Sequence, residues 1–186
     1  MKNILSIAFI IISFYSCKAQ TIYPLGTQPE EIQGDDYYIK DTQNVYDSIE
    51  GIWLWEVGTS SFELTLEGFE MVSLSEESTQ YRDVVFGKYK YIVNGNTIAE
   101  VNNIPNIQSS FPKVAISYKS ATVFRIQITD ILSEKYKIGE FVLNDNGTAT
   151  ISLEDPIGTN GLYFPDNPPT GLDFQLPINI ILTKVE

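Results

Sequence analysis

The sequence contains no histidine in 186 residues, which is its most restrictive chemical property. Without an imidazole there is no Ser-His-Asp or Cys-His nucleophile and no His-ligated zinc. Cysteine is nearly as scarce. Cys17 is the only one, so the chain closes no disulfide on itself and builds no thiolate zinc site. Cationic residues are few, with 12 Lys and Arg against 24 Asp and Glu and a formal charge of −12. No basic cluster is available to neutralise phosphates or anionic head groups, so nucleic acid is excluded as a partner, as is adsorption to lipid by charge. Helical periodicity is missing too, since no segment repeats its apolar residues every 3.6 positions. Only carboxylate, lysine or tyrosine chemistry remains. Glu56, Glu63, Glu67, Glu100 and Glu140 all fall on strand-like segments, but their spacing selects no acid pair of the kind a glycosidase needs. The composition therefore points to a non-enzymatic protein with no metal and no cofactor.

What the chain does have begins at its N-terminus. Lys2 precedes an apolar run from Ile4 to Phe14, too short to span a bilayer but within the ~7–15 residues of a secretory signal core. Two processing readings follow. Phe14-Tyr15-Ser16-Cys17 resembles a lipobox, in which a small residue precedes a Cys that is acylated and becomes the new N-terminus. Alternatively Cys17-Lys18-Ala19 is a small-x-small site, cut before Gln20 to release a soluble periplasmic or secreted protein. The first is preferred because it explains a lone thiol in an exported chain, and a multiply acylated Cys17 makes a stable anchor. The expected organisation is a signal peptide over 1–16, a lipid-attached flexible tether over 17–36 and one β domain over 37–186. The tether rests on Pro24, Gly26, Pro29 and Gly34 among acidic residues. The expected location is the cell envelope, as an outer-membrane lipoprotein.

From Gly51 onward the pattern is strand, turn, strand. Ile52 to Val57 is aromatic and branched, and Phe62, Leu64 and Leu66 alternate with Glu63, Thr65 and Glu67, which is the period of a half-buried strand. Val85 to Val93 leads into Asn94-Gly95, a strong hairpin signal, with Thr97 to Val101 as the return. Lys113 to Tyr118 pairs with Thr122 to Thr129. Lys135 to Leu143 and Thr148 to Leu153 flank the turn Asn144-Asp145-Asn146-Gly147. Asp155 to Leu172 reads as a long loop. The last strand is expected from Phe174 to Val185, with Leu176, Ile178, Ile180 and Leu182 on one face and Pro177 marking an edge or bulge. The prediction is an all-β fold of about eight to ten antiparallel strands, an up-and-down barrel or a curled sandwich. Neither acidic turn region has the ligand order of a calcium loop.

Four motifs in order carry a resemblance: Ser16-Cys17-Lys18-Ala19-Gln20, then Asp41-x-x-Asn44-x-x-Asp47-x-x-x-Gly51-x-Trp53, then Gly87-x-Tyr89-x-Tyr91-x-x-Asn94-Gly95, and finally Ile181-Leu182-Thr183-Lys184. Together they resemble a family of small uncharacterised lipoproteins from Bacteroidetes, which has no activity to carry over. Gly51-x-Trp53 at the head of an antiparallel meander is also similar to the opening motif of lipocalins. That likeness implies a barrel whose closed end is plugged by Trp53.

Candidate site residues are Trp55, Tyr89, Tyr91 and Arg125, besides Cys17 for lipid. Trp55 shares one side of its strand with Trp53, and Tyr89 shares one with Tyr91; such aromatics would line a pocket for an apolar molecule or a sugar, or else simply fill the core. Arg125 sits mid-strand, either snorkelling outward or reaching into the barrel toward an anion. The function expected is a binding module for a small hydrophobic or glycan ligand. The alternative is a filled-core protein acting through its surface.

Overall fold

The computed structural model describes residues 20–73, 75, 77–105, 110–156 and 172–185. Eleven strands form one sheet: β1 (Thr21–Pro24), β2 (Tyr37–Lys40), β3 (Gly51–Val57), β4 (Ser60–Ser73), β5 (Gln80–Val93), β6 (Asn96–Glu100), β7 (Val114–Tyr118), β8 (Val123–Thr129), β9 (Tyr136–Leu143), β10 (Thr148–Glu154) and β11 (Asn179–Lys184). Two single turns of 3-10 helix, Pro29–Glu31 and Tyr46–Ser48, complete the regular structure. No α-helix occurs among the described residues.

Eight of these strands close into an antiparallel, lipocalin-like barrel in the circular order β3, β4, β5, β7, β8, β9, β10, β11. This decides between the barrel and the curled sandwich. Closure depends on β5, whose second edge serves three partners in turn. Gln80 to Arg82 of its sequence face the range Tyr37 to Ile39 of β2, Val85 to Gly87 face β7, and Lys90 to Val93 face β6. Gly87 stands where β4, β5 and β7 meet. A Cβ there would lie 2.9 Å from the Thr65 carbonyl oxygen and 3.1 Å from the Val114 Cβ, so the closing strand needs a glycine at this position.

Period-2 alternation continues around the whole barrel. Trp53 faces Leu64 and Leu64 faces Tyr89; Ile116 faces Ile126; Phe124 faces Phe141, which faces Ile151, which faces Ile180. All of these point inward and all are buried in one core cluster. A side chain lining a void large enough for water would keep accessible surface. Trp53, Phe62, Leu64, Leu66, Tyr89, Phe124, Ile126, Ile128, Phe141, Ile151 and Leu182 keep almost none, so the barrel is filled at their level.

The strand positions expected at the hairpins hold. Asn94 and Gly95 both adopt positive φ (51° and 77°), the geometry of a two-residue hairpin turn. In the second turn, Asn144 Nδ2 donates to Thr148 Oγ1 at 2.8 Å, while Asn146 Oδ1 accepts from the Thr148 hydroxyl at 2.6 Å, so its polar residues serve the turn itself. The last strand is shorter than expected: β11 begins only at Asn179, after Pro177, so buried Leu176 and exposed Ile178 precede it, while Ile180 and Leu182 on it are buried.

The structure differs from expectation at the N-terminal side. Within the segment read as a tether, β1 pairs in parallel with β2 (Thr21↔Tyr37 to Pro24↔Lys40), and β2 pairs in parallel with β5. The Leu25 N–H reaches the Lys40 carbonyl at 3.1 Å, and Gly26 packs against the Tyr118 ring. Backbone pairing, which leaves no composition signal, holds residues 20–36 to the barrel. The signal-like residues 1–16 and Cys17 lie outside the described residues.

Candidate functional site: an aromatic rim opposite a plugged end

The two ends of the barrel are built differently. At one end the lead-in to β3 folds back as a plug. Both carboxylate oxygens of Asp41 accept backbone donors, Val45 N–H at 2.9 Å and Tyr46 N–H at 2.7 Å. This is a side-chain cap on the turn that follows. Asn44 (φ 54°) and Gly51 (φ 114°) supply the left-handed backbone the fold-back requires. Tyr46 and Ile49 are thereby buried. The Trp53 Nε1–H donates to the Ile49 carbonyl at 2.7 Å, and its ring meets Phe141 edge-on at 5.1 Å. Lys184 from β11 places its Nζ 5.5 Å from the indole centroid while donating to the Ser48 carbonyl at 3.2 Å. Asp41, Asn44, Gly51 and Trp53 of the motif thus build one object, a cap that closes the barrel. Burial pushes the Tyr46 hydroxyl up to about 12.

A buried carboxylate staples this end to the N-terminal strands. Asp83 accepts from the Tyr38 hydroxyl at 2.5 Å, the Asp41 N–H at 2.8 Å and the Met71 N–H at 3.0 Å. Met71 has φ 53° and lies where the β4–β5 register shifts, between Phe69 and Val72. The bulge re-aims the Met71 N–H at a side chain instead of a strand partner. Burial, and then the Asp83 carboxylate, drive the Tyr38 hydroxyl well above its ordinary value.

The other end carries the site. Trp55 faces Phe62, Phe62 faces Tyr91 and Tyr91 faces Ala99, one rung across β3, β4, β5 and β6. Phe62 is fully buried and stacks on Tyr89 at 5.8 Å, with Tyr91 edge-on at 6.2 Å. Trp55 and Tyr91 are half-buried. The β3–β11 ladder pairs Lys184↔Trp53 and Thr183↔Leu54 and does not extend to Trp55. Charged groups also occur at this end. Lys137, whose side chain is 15% exposed, pairs with Asp155 at 2.6 Å and holds its Nζ 5.6 Å from the Phe174 ring centroid. Lys135 pairs with Asp173 at 3.1 Å. Half-buried aromatic faces together with polar groups are what a sugar or a small amphiphile engages.

A second buried carboxylate fixes the loops here. Asp130 has no exposed surface and accepts from the Leu132 N–H (2.9 Å), the Ser133 hydroxyl (2.8 Å) and the Gln175 N–H (2.8 Å). Beside it, the Tyr89 hydroxyl donates to the Thr129 carbonyl at 2.9 Å and accepts from the Ile131 N–H at 3.1 Å. Burial, with the Asp130 charge adding to it, pushes that hydroxyl up to about 12.

Of the residues singled out in the sequence, Trp55 and Tyr91 share one rung of the rim, with Phe62 between them. Tyr89 lies one rung deeper, in the core, with its hydroxyl engaged internally. Arg125 is separated from all three. It faces Ser117 and Glu140 on the outer surface, because its strand neighbours Phe124 and Ile126 take the inward positions; it snorkels outward and does not reach a ligand inside. Phe62, Phe174, Lys137, Asp83 and Asp130 were not singled out. Phe62 carried a usable signal, since its alternation with Glu63 places it on the Trp55 side. Among the described residues no three acidic side chains gather to hold a metal ion. Asn160, Asp166 and Asn167 of the acidic loop lie outside the described residues.

Fold and site together define a lipocalin-like barrel with one plugged end and one aromatic rim. The chain belongs to a family of unknown function (DUF6705), whose model matches residues 1–185. No curated protein and no solved structure matches it.

Proposed function

We propose that this is an exported, lipid-anchored protein of the cell envelope, without enzymatic activity, that holds a small glycan or apolar ligand at the rim of its barrel. One observation carries the reading: half-buried Trp55 and Tyr91 flank buried Phe62 on one rung at the end opposite the plug. The filled interior narrows it further, because a ligand rests against the rim and is not swallowed. Cys17 is the anchor in this reading, and no cofactor takes part.

The test is native mass spectrometry of protein purified from its host, followed by binding of the recovered ligand to Trp55→Ala and Tyr91→Ala variants. An aromatic face covered by ligand contributes about 1–3 kcal/mol, so each variant should bind roughly ten- to a hundredfold more weakly at a temperature where circular dichroism shows it fully folded. A recovered ligand that binds both variants as well as the parent sinks the rim assignment.

A second reading, an interaction protein working through its outer wall, has one observation in its favour. Ile52 and Leu54 of β3 lie beside Ile181 and Val185 on the outside of the β3–β11 seam, and Ile181 is 61% and Val185 51% exposed. Exposed apolar clusters mark contact surfaces. Loss of a co-purifying partner from Ile181→Lys, with Trp55→Ala inert, would favour this reading.

A further inference from the structure

The first described residue is already fastened to the barrel. Gln20 Nε2 donates to the Tyr37 and Thr79 carbonyls, each at 3.3 Å. The Thr79 hydroxyl donates to the Asp35 carbonyl at 2.7 Å, and the Tyr37 hydroxyl to Gln80 Oε1 at 2.9 Å. Thr79 and Gln80 lie where the long β4–β5 hairpin turns, at the far tip of the plugged end. Because β1 runs parallel to β2 and β2 parallel to β5, the chain enters at that tip and climbs toward the rim.

Covalent geometry then sets how far an anchor at Cys17 stands from the barrel. Only Lys18 and Ala19 lie between Cys17 and Gln20, and a fully extended chain spans at most about 11 Å over those three Cα-to-Cα steps. A flexible tether over 17–36 would instead give a root-mean-square reach of about 25 Å. In the other direction, β5 runs from Gln80 to Val93, roughly 43 Å along the strand. Allowing for barrel tilt, that is about 30 Å along the axis.

We infer that the bilayer is the partner of the plugged end. The barrel stands upright and close on the membrane surface, with the aromatic rim held about 30 Å away in water. This rests on the lipid-anchor reading of Cys17 and deepens the rim reading. A rim turned away from the anchoring bilayer takes its ligand from the aqueous side, which fits a glycan better than a lipid of that bilayer. Asp83 belongs to the same device, since Tyr38 of β2 and the Asp41 backbone are both bound to it.

The test uses the mature chain from Cys17 onward, coupled through its single thiol to a maleimide phospholipid in a supported phosphatidylcholine bilayer. Neutron reflectivity measures the hydrated gap beneath the protein layer. The expected gap is no more than about 11 Å. Inserting fifteen Gly/Ser residues between Ala19 and Gln20 should widen it to about 21–25 Å. A gap near 25 Å in the parent chain, or no widening in the spacer variant, overturns the inference. The anchor reading fails separately: an unmodified or absent Cys17 in the mass spectrum of protein isolated from its host refutes it, whatever the reflectivity shows.

Discussion

Replacing Asp130 with alanine should cost the barrel about 3–5 kcal/mol, the range seen when a buried, hydrogen-bonded charge is broken up. The figure comes from its three bonds. Oδ1 takes the Leu132 N–H, while Oδ2 takes both the Ser133 hydroxyl and the Gln175 N–H. Hydrogen bonds to a charged group contribute roughly 1.5–3 kcal/mol each, and a buried donor left without a partner adds a desolvation penalty. The sum is not additive, because Ser133 can turn its hydroxyl elsewhere once the carboxylate is gone. The bond to Gln175 matters most for the fold, since it joins the β8–β9 turn to the approach of β11 across 45 residues. Asp130→Asn keeps the shape. Its carbonyl oxygen can face Ser133 and Gln175, but its amide then opposes the Leu132 N–H, at about 2 kcal/mol. Urea unfolding followed by circular dichroism measures both variants. A protein of this size unfolds with about 5–15 kcal/mol, so the alanine midpoint should fall by about 1–3 M with an unchanged slope. Asp173→Ala, which removes an exposed partner of Lys135, is the control and should leave the midpoint in place. If Asp130→Ala unfolds with the parent, or later than Asp130→Asn, the staple reasoning is wrong.

Trp53→Ala removes the plug's largest side chain and the donor to Ile49, so a loss of about 3–5 kcal/mol is expected in the same assay. Lys184→Met keeps the packing over the indole and should cost under about 1 kcal/mol; a cost equal to that of Trp53→Ala would mean Lys184 does more than cover the ring. Gly139→Ala sets a Cβ 1.8 Å from the Ser152 carbonyl oxygen, so β9 and β10 must separate, and the variant should fail to give the parent's near-UV circular dichroism. Alkaline pH should destabilise the protein through Tyr46 and Tyr89. Their folded hydroxyls sit near 12, against the ordinary 10, so the folded state holds these protons more tightly than the unfolded chain. That stability is complete below pH 10 and is lost as the pH rises from 10 to 12, by up to about 3 kcal/mol for each group. A Tyr89→Phe variant should show a shallower decline between pH 10 and 12, and a profile equal to the parent's would count against the assignment.

The barrel strands were legible because their alternation is strict. Phe62-Glu63-Leu64-Thr65-Leu66 and Val123 to Ile128 each place an apolar residue inward at every second position. Two-residue turns were legible because Asn94 and Gly95 are the residues that tolerate positive φ. The extension of β4 through Glu70, Met71 and Ser73 was not, since neither its composition nor its alternation marks a strand there. The docking of β1 was hidden for a related reason. Four residues, Thr21-Ile22-Tyr23-Pro24, are held by parallel backbone bonds to β2, and such bonds depend on what lies alongside. Asp83 and Asp130 look like any other acids in a chain with 24 of them; their burial follows from which backbone N–H groups converge on them. At the site, Trp55 and Tyr91 were readable by parity. Arg125 was misleading as a ligand contact because a long cationic chain fits either face of a strand, and only Phe124 and Ile126 decide which.

One strand accounts for both ends of the molecule. β5 is longer than its neighbours β7 and β6 on the shared edge, so three partners are needed to cover it. At its N-terminal part the partner is β2, which brings the Asp41 cap and β1 with it and makes the plugged, fastened end. At its C-terminal part the partner is β6, whose own ladder to β5 is irregular between Tyr91 and Ile92. There the continuous wall gives way, and Tyr89 bridges the distance to β8 with its hydroxyl. An edge that ends in a hairpin instead of a barrel strand leaves Tyr91 and, across Phe62, Trp55 without a full cover of side chains. The half-burial of those two rings is thus a consequence of how the barrel closes. Extending the β6 pairing by design, so that it continues directly into β7, should bury both rings and abolish rim binding while raising stability. A stabilised variant of that kind that still bound the recovered ligand would separate the site from the aromatic rung and return the search to the outer wall at Ile181.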